Sequence, residues 1–210
     1  MTNIQNAPVS TAKRSGAGIA LFVTSCASAV LFVLAIVFHQ IEWEWFARLK
    51  SLYYSGSDYR TLAFYEIFTF FLPVISAILT FASVIAKKGK KQLFGAALLL
   101  IALYSPLELI FRLINGSKIQ VSTHNVAYFA EAVILLAAAI MYFVKANGMI
   151  PTFVGSAALS IYFMLQTVKL FIPSTSVRGL SLAVLIATYA GFFCLSAAFI
   201  LNALRLRKTK

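Results

Sequence analysis

Acidic residues are what this sequence has least of. Six Asp and Glu stand against 18 Lys and Arg in 210 residues, and charged residues of both signs make up only 11% of the chain. A soluble domain is roughly a quarter charged. That deficit, with a mean hydropathy of +0.89, excludes a water-soluble globular protein. Cysteine is nearly absent as well. Cys26 and Cys194 each fall inside an apolar run, make no CxxC pair and are too few for a disulfide framework, so they read as small packing residues. No HExxH, P-loop or GxSxG pattern is present, so no metal, phosphate-binding or nucleophilic chemistry can be named from a motif and no cofactor is expected.

What the chain has in quantity is apolar length. A membrane-spanning helix needs about 20 mostly apolar residues. Stretches at about 19–38, 61–86, 92–114, 126–144, 151–172 and 180–204 qualify. Their runs are continuous, whereas barrel strands alternate over about 10 residues. The expected fold is therefore all-α, a polytopic membrane protein of six transmembrane helices. Residues 1–15 are expected to be a disordered cytoplasmic N-terminus, 16–204 the membrane domain and 205–210 a basic cytoplasmic tail. The first segment also has the look of a cleaved signal: Lys13 and Arg14 precede it, and Val23-Thr24-Ser25-Cys26 and Ala27-Ser28-Ala29 resemble processing sites. The apolar run continues to Phe38, where a mature chain is normally polar, so a retained helix is expected.

The formal net charge of +12 is a topology signal rather than a nucleic-acid surface. With the N-terminus inside, Lys13, Arg14, Lys87, Lys88, Lys90, Lys91, Lys145, Arg205, Arg207, Lys208 and Lys210 face the cytoplasm with no acid among them. The outer loops hold Arg48, Lys50, Arg60, Lys118 and Arg178 with Glu42, Glu44 and Asp58. The positive-inside rule then puts both termini in the cytoplasm, and a plasma (inner) membrane is expected. The basic residues are split over separate edges with no interleaved aromatics, so no nucleic-acid partner is expected. The Lys87–Lys91 cluster reads first as a topology anchor and second as a binder of anionic head groups.

Between His39 and Arg60, Ile41, Trp45, Leu49 and Leu52 recur at helical spacing. Trp43, Phe46, Tyr53 and Tyr54 suit the head-group layer, and Glu44 and Arg48 are spaced for an i,i+4 pair. An amphipathic helix over Ile41–Tyr54 is expected on the outer surface, as an anchor for the first hairpin or a lid. Pro73 and Pro106 should kink the second and third helices, and Pro151 opens the fifth. Small residues begin the odd helices, as in Gly16-Ala17-Gly18, Gly95-Ala96-Ala97 and Gly155-Ser156-Ala157-Ala158, a weak sign of a triplicated hairpin.

Ionisable groups inside spans are costly and are functional candidates by default. There are five, namely Glu66, Glu108, Arg112, Glu131 and Lys169. At about 1.5 Å per residue, all fall in the outer half, and none lies at the midplane or in the inner half. Tyr104, Glu108 and Arg112 form one stripe, Gln166 and Lys169 are i,i+3, and Tyr65 and Tyr128 flank two of the acids. One reading is an outward-facing polar pocket for a cation, proton or small polar molecule, built from Glu66, Tyr104, Glu108, Arg112, Glu131, Gln166 and Lys169. The other is a structural ion-pair network. His39 and His124 lie near the outer surface, but no metal site is expected from their spacing. Asn115-Gly116-Ser117 fits a glycosylation sequon and equally a turn.

The first functional expectation is a small transporter or ligand-binding membrane protein. Against it, transporters usually bind near the midplane. The alternatives are an accessory or scaffold subunit that meets other membrane subunits, and, least favoured, a lipid-modifying enzyme with a Glu as general acid/base. The one partner expected under every reading is the lipid bilayer.

Overall fold

The computed structural model describes residues 16–114, 123–170 and 179–208. Among these residues there are seven helices and no strand: α1 (Gly16–Trp43), α2 (Trp45–Tyr54), α3 (Ser57–Ile85), α4 (Lys90–Ile114), α5 (Thr123–Phe143), α6 (Met149–Leu170) and α7 (Leu180–Lys208). Residues 1–15 with Lys13 and Arg14, the Asn115-Gly116-Ser117 sequon, Lys118, Arg178 and Lys210 lie outside the described residues, as do the side chains of Asp58, Glu108, Arg112, His124 and Lys169.

The all-helical fold follows from the apolar runs, because in hydrocarbon a backbone must satisfy its own N–H and C=O groups and a helix does so within one segment. Four stretches are long and apolar enough to cross a membrane: Gly18–Trp43, Ala63–Ile85, Met149–Val168 and Leu180–Arg207. The chain is accordingly a membrane protein. The apolar part of α5, Tyr128–Phe143, is shorter, and α4 carries Lys90, Lys91, Glu108 and Arg112.

Each expected span has its helix, but the ends differ. α1 runs on to Trp43, so Ile41 belongs to it, and the amphipathic helix is only Trp45–Tyr54. The break is a single residue, Glu44, in the left-handed conformation (φ 45°). Its carbonyl accepts from the amides of Ala47 and Arg48 at 2.8 and 3.1 Å. The Gln40 side chain accepts from the Phe46 amide at 2.8 Å and so caps the new helix. At the other end of the chain α7 continues through Arg207, beyond the expected limit at 204. Leu, Arg and Lys are good helix formers, and nothing there stops the ladder.

The six long helices form a closed ring. Sequence neighbours pack in turn from α3 to α7, α1 packs on α3, and α1 closes on α7. α1 and α7 are antiparallel. The Ser28 hydroxyl donates to the Gly191 carbonyl at 3.0 Å, and toward the other end of the pair the Ser181 hydroxyl donates to Glu42. α3 and α7 touch with the same polarity, the Asn202 side-chain amide donating to the Ser83 hydroxyl at 2.6 Å. The alternation gives the ring two distinct ends. One carries α2. The other gathers the α3–α4 turn, the α5–α6 turn and the end of α7, with their lysines and arginines.

The core fills the middle of the ring and extends toward the basic end. Phe94, Leu98, Ile101, Leu135, Leu159, Phe192, Leu195 and Phe199 are fully or almost fully enclosed. Large apolar residues on the outer faces, such as Ile78, Val133, Ile140, Ile161 and Met164, are more than half exposed and suit lipid contact. In lipid, helices associate through close packing and interhelical hydrogen bonds, and small residues allow the approach. A Cβ on Gly191 would lie 2.8 Å from the Phe32 ring, and one on Gly155 would lie 2.5 Å from Leu135.

Gly191→Ala is expected to lower stability by about 1–3 kcal/mol through overpacking of the α1–α7 seam. A thermal or denaturant melt in detergent checks this. An unchanged midpoint would show that the seam is loose.

Candidate functional site

The half of the ring nearest α2 is not filled. It contains a cavity of about 340 Å³ to which all six long helices contribute. Phe32 and Ala35 come from α1; Tyr65, Thr69, Phe70 and Pro73 from α3; Tyr104 from α4; and Tyr128 from α5. α6 supplies Tyr162, Phe163 and Gln166, and α7 supplies Val184, Leu185, Thr188 and Tyr189. Five of these side chains are tyrosines, and among the described residues no charged side chain lines the cavity.

Local sequence explains the polar character. Pro73 has no N–H to give, so the carbonyl one turn earlier, that of Thr69, loses its ladder partner at a point where both residues line the cavity. The Thr69 hydroxyl is occupied by the Tyr65 carbonyl, 2.7 Å away. The rings are fixed by mutual contact. Tyr128 and Tyr162 stack with centroids 4.3 Å apart and planes within 12°. Phe163 stacks on Phe192 at 4.0 Å, and Phe32 meets the same Phe192 edge-on at 5.0 Å. Phe192 is fully buried and closes the floor.

The seven residues expected to form a pocket have separate fates. Tyr104 and Gln166 line the cavity. Glu66 does not. One of its oxygens accepts from the Trp45 indole N–H at 3.0 Å, and the other pairs with Arg48 at 3.1 Å. Its neighbour Tyr65 faces the cavity, and a step of one residue around a helix turns Glu66 away toward α2. Arg48 therefore bridges to α3 rather than pairing with Glu44, because Glu44 sits in the turn and not on the helix face. Glu131 is 2% exposed, and neither carboxyl oxygen has a hydrogen-bond partner among the described residues. It lies one turn from Tyr128, on the same inward face of α5. Glu108 and Arg112 are on α4 and Lys169 on α6; their side chains lie outside the described residues.

Trp45 is the anchor of α2. It is fully buried among His39, Phe70 and Phe71, with Leu49 and Ala63 completing the cluster. These contacts hold α2 against α1 and α3. His39 stacks on Phe70 at 4.8 Å, and among the described residues no group of three His, Cys, Asp or Glu comes together as a metal site.

Sequence reasoning missed Tyr162, Tyr189, Thr69 and Thr188, because uncharged residues in an apolar helix resemble packing. The available signal was that tyrosines recur in the same half of successive helices. Chemically the cavity offers hydroxyls, one amide and aromatic faces. Such a set can orient a polar ligand, and an aromatic lining attracts cations through the ring quadrupole. No protein family, curated protein or solved structure matches this chain, so its function is argued from this geometry alone.

Trp45→Ala is expected to cost about 3–5 kcal/mol, as for other buried aromatic truncations, and to release α2 to limited proteolysis. Glu66→Gln retains an acceptor for the indole and loses only a pair whose Arg48 side chain is 44% exposed, so about 0.2–1 kcal/mol is expected. Equal losses in a melt of the two variants would refute the anchoring role of Trp45.

Proposed function

We propose that this chain is a six-span protein of the plasma (inner) membrane that binds a small organic cation in the tyrosine-lined cavity, acting as a ligand-binding or transporter-like protein. In this reading both termini are cytoplasmic and the α2 end faces outward. The excess of Lys and Arg at the opposite end, with no acid beside it, supports that orientation. α4 and α5 complete the six spans, because each packs as a full member of the ring.

The observation that carries the reading is the convergence of Tyr65, Tyr104, Tyr128, Tyr162 and Tyr189 from five helices on one cavity. Packing alone does not call for five polar-tipped rings in one unfilled space. The volume stands at the lower end of small-molecule pockets, which run from about 300 to 1,000 Å³. A quaternary or protonated amine fits such a lining, since aromatic cages hold these cations by cation–π attraction. The enclosed Glu131, one turn deeper than Tyr128, adds negative potential when ionised, and in a low-dielectric interior that attraction is weakly screened.

Choline and its neutral isostere 3,3-dimethylbutan-1-ol provide the test. Choline is expected to raise the melting temperature of the detergent-purified protein saturably, by about 2.7 kcal/mol of stabilisation at one hundred times its Kd. The alcohol should have little effect. Tyr162→Leu should weaken the choline response at least tenfold. Equal responses to the two compounds would overturn the cation reading.

A further inference from the structure

A second cavity, larger than the tyrosine-lined one, lies at the other end of the ring. It has a volume of about 610 Å³ and is lined by Lys91, Tyr142, Lys145, Ala146, Asn147, Leu206 and Arg207. Three helices bring three cations to it: Lys91 from the first turn of α4, Lys145 from the turn after α5, and Arg207 from the end of α7. No acid is among the lining residues. Like charges gathered around one space repel, and an anion that enters it relieves that repulsion.

Three further observations point to an occupant. The Arg207 guanidinium has the Met149 thioether as its neighbour, at 3.9 Å, a weak acceptor for a group that forks onto carboxylates and phosphates. Tyr142 is 2% exposed, and its hydroxyl lies beside the Thr152 side chain without a well-formed hydrogen bond among the described residues. Lys145 stands in the left-handed region at φ 60°. The Lys145 amide donates to the Tyr142 carbonyl at 3.2 Å, and the Ala146 amide donates to the Met141 carbonyl at 2.7 Å. This is a Schellman turn with lysine at the C′ position, where glycine has no steric cost. Its amino group reaches a cavity that already holds two cations.

We propose that this basic cavity is a phosphate-binding site, with Arg207 forking onto the phosphate oxygens, Lys91 and Lys145 neutralising its charge, and the Tyr142 hydroxyl donating to it. The phosphate comes either from the head group of an anionic phospholipid or from a soluble phosphate compound. Leu206 and Ala146 give the site an apolar wall that suits the glycerol side of a lipid. The volume exceeds what a bare phosphate fills.

Two arms of one binding experiment separate the sources. Delipidated protein in dodecyl maltoside is titrated with inorganic phosphate against chloride at constant ionic strength, and separately with short-chain phosphatidylglycerol against phosphatidylcholine. Melting temperature and native mass spectrometry are the readouts. A saturable rise is expected in at least one arm, and a response to phosphatidylglycerol alone assigns the site to lipid. Arg207→Gln is expected to weaken that response at least tenfold. Lys145→Gly should do so too while leaving the unliganded melting temperature equal or higher, because glycine suits the turn; this keeps loss of binding distinct from loss of fold. Lys87→Gln with Lys88→Gln, outside the cavity, should leave the response intact. Absence of a response in both arms overturns the proposal. So does an equal loss in the Lys87 and Lys88 variant, which would make the binding diffuse surface attraction.

Discussion

The ring exists because α1 and α7 meet with almost nothing between them. Gly191 leaves room for the Phe32 ring, and the Gly191 carbonyl takes the Ser28 hydroxyl at 3.0 Å. In water, burial of apolar surface would close such a bundle without help. In lipid that drive is absent, and association rests on close packing and on polar links that have no better partner. The same device recurs around the ring. The Ser76 hydroxyl donates across to the Ala97 carbonyl at 2.8 Å between α3 and α4, and Asn202 donates to Ser83 between α7 and α3. Once the first and last long helices are joined, every other helix has two neighbours. The inward faces then enclose a common space. Large apolar residues fill its middle, a cavity opens at the basic end, and the half near α2 keeps the cavity lined by tyrosines, threonines and a proline.

The two ends of the ring treat charge in opposite ways. Near α2 the charge is compensated: Glu66 is held by Arg48 and by the Trp45 indole, and the Ser181 hydroxyl donates to Glu42. These contacts make a lid-like helix into a fixed corner. At the other end Lys91, Lys145 and Arg207 stand around one cavity with no acid among its described lining residues. Arg205 adds to the positive charge of that end, with one buried guanidinium nitrogen lacking a partner among the described residues. Retention by topology requires only that basic residues be on the right side. It does not require them to converge or to bend a backbone into the left-handed region.

Each apolar segment could be read directly from the sequence because a helix in lipid needs only continuous apolar length. α2 was legible too, since Trp45, Leu49 and Leu52 keep a helical period. Partnerships were not legible. Glu66 looked like a pocket acid, yet its partners Arg48 and Trp45 stand on another helix, and only the fold of the turn at Glu44 shows that they reach it. Glu44 and Arg48 looked like a pair by spacing, and the helix starts one residue too late for them. Lys91, Lys145 and Arg207 looked like three separate anchors because 54 and 62 residues of sequence separate them, while the ring brings them around one cavity. Tyr104 and Gln166 were identified through charged neighbours, whereas Tyr162 and Tyr189 had none to mark them.

The two cavities also constrain each other. A ligand in the tyrosine cavity meets Phe163, which lies flat on Phe192 at 4.0 Å with planes within 7°, and Phe192 is braced by Phe32 and Tyr104. Beyond that floor Leu98, Leu195, Phe94 and Phe199 are fully enclosed and separate it from the basic end. Passage through the ring would need the Phe163–Phe192 stack to part. α6 and α7 carry those two rings, and the Gly155 and Gly191 contacts hold both helices tightly to their neighbours. The seam that closes the ring is therefore also what closes the route, and a transport cycle would have to loosen the contact on which the cavity depends.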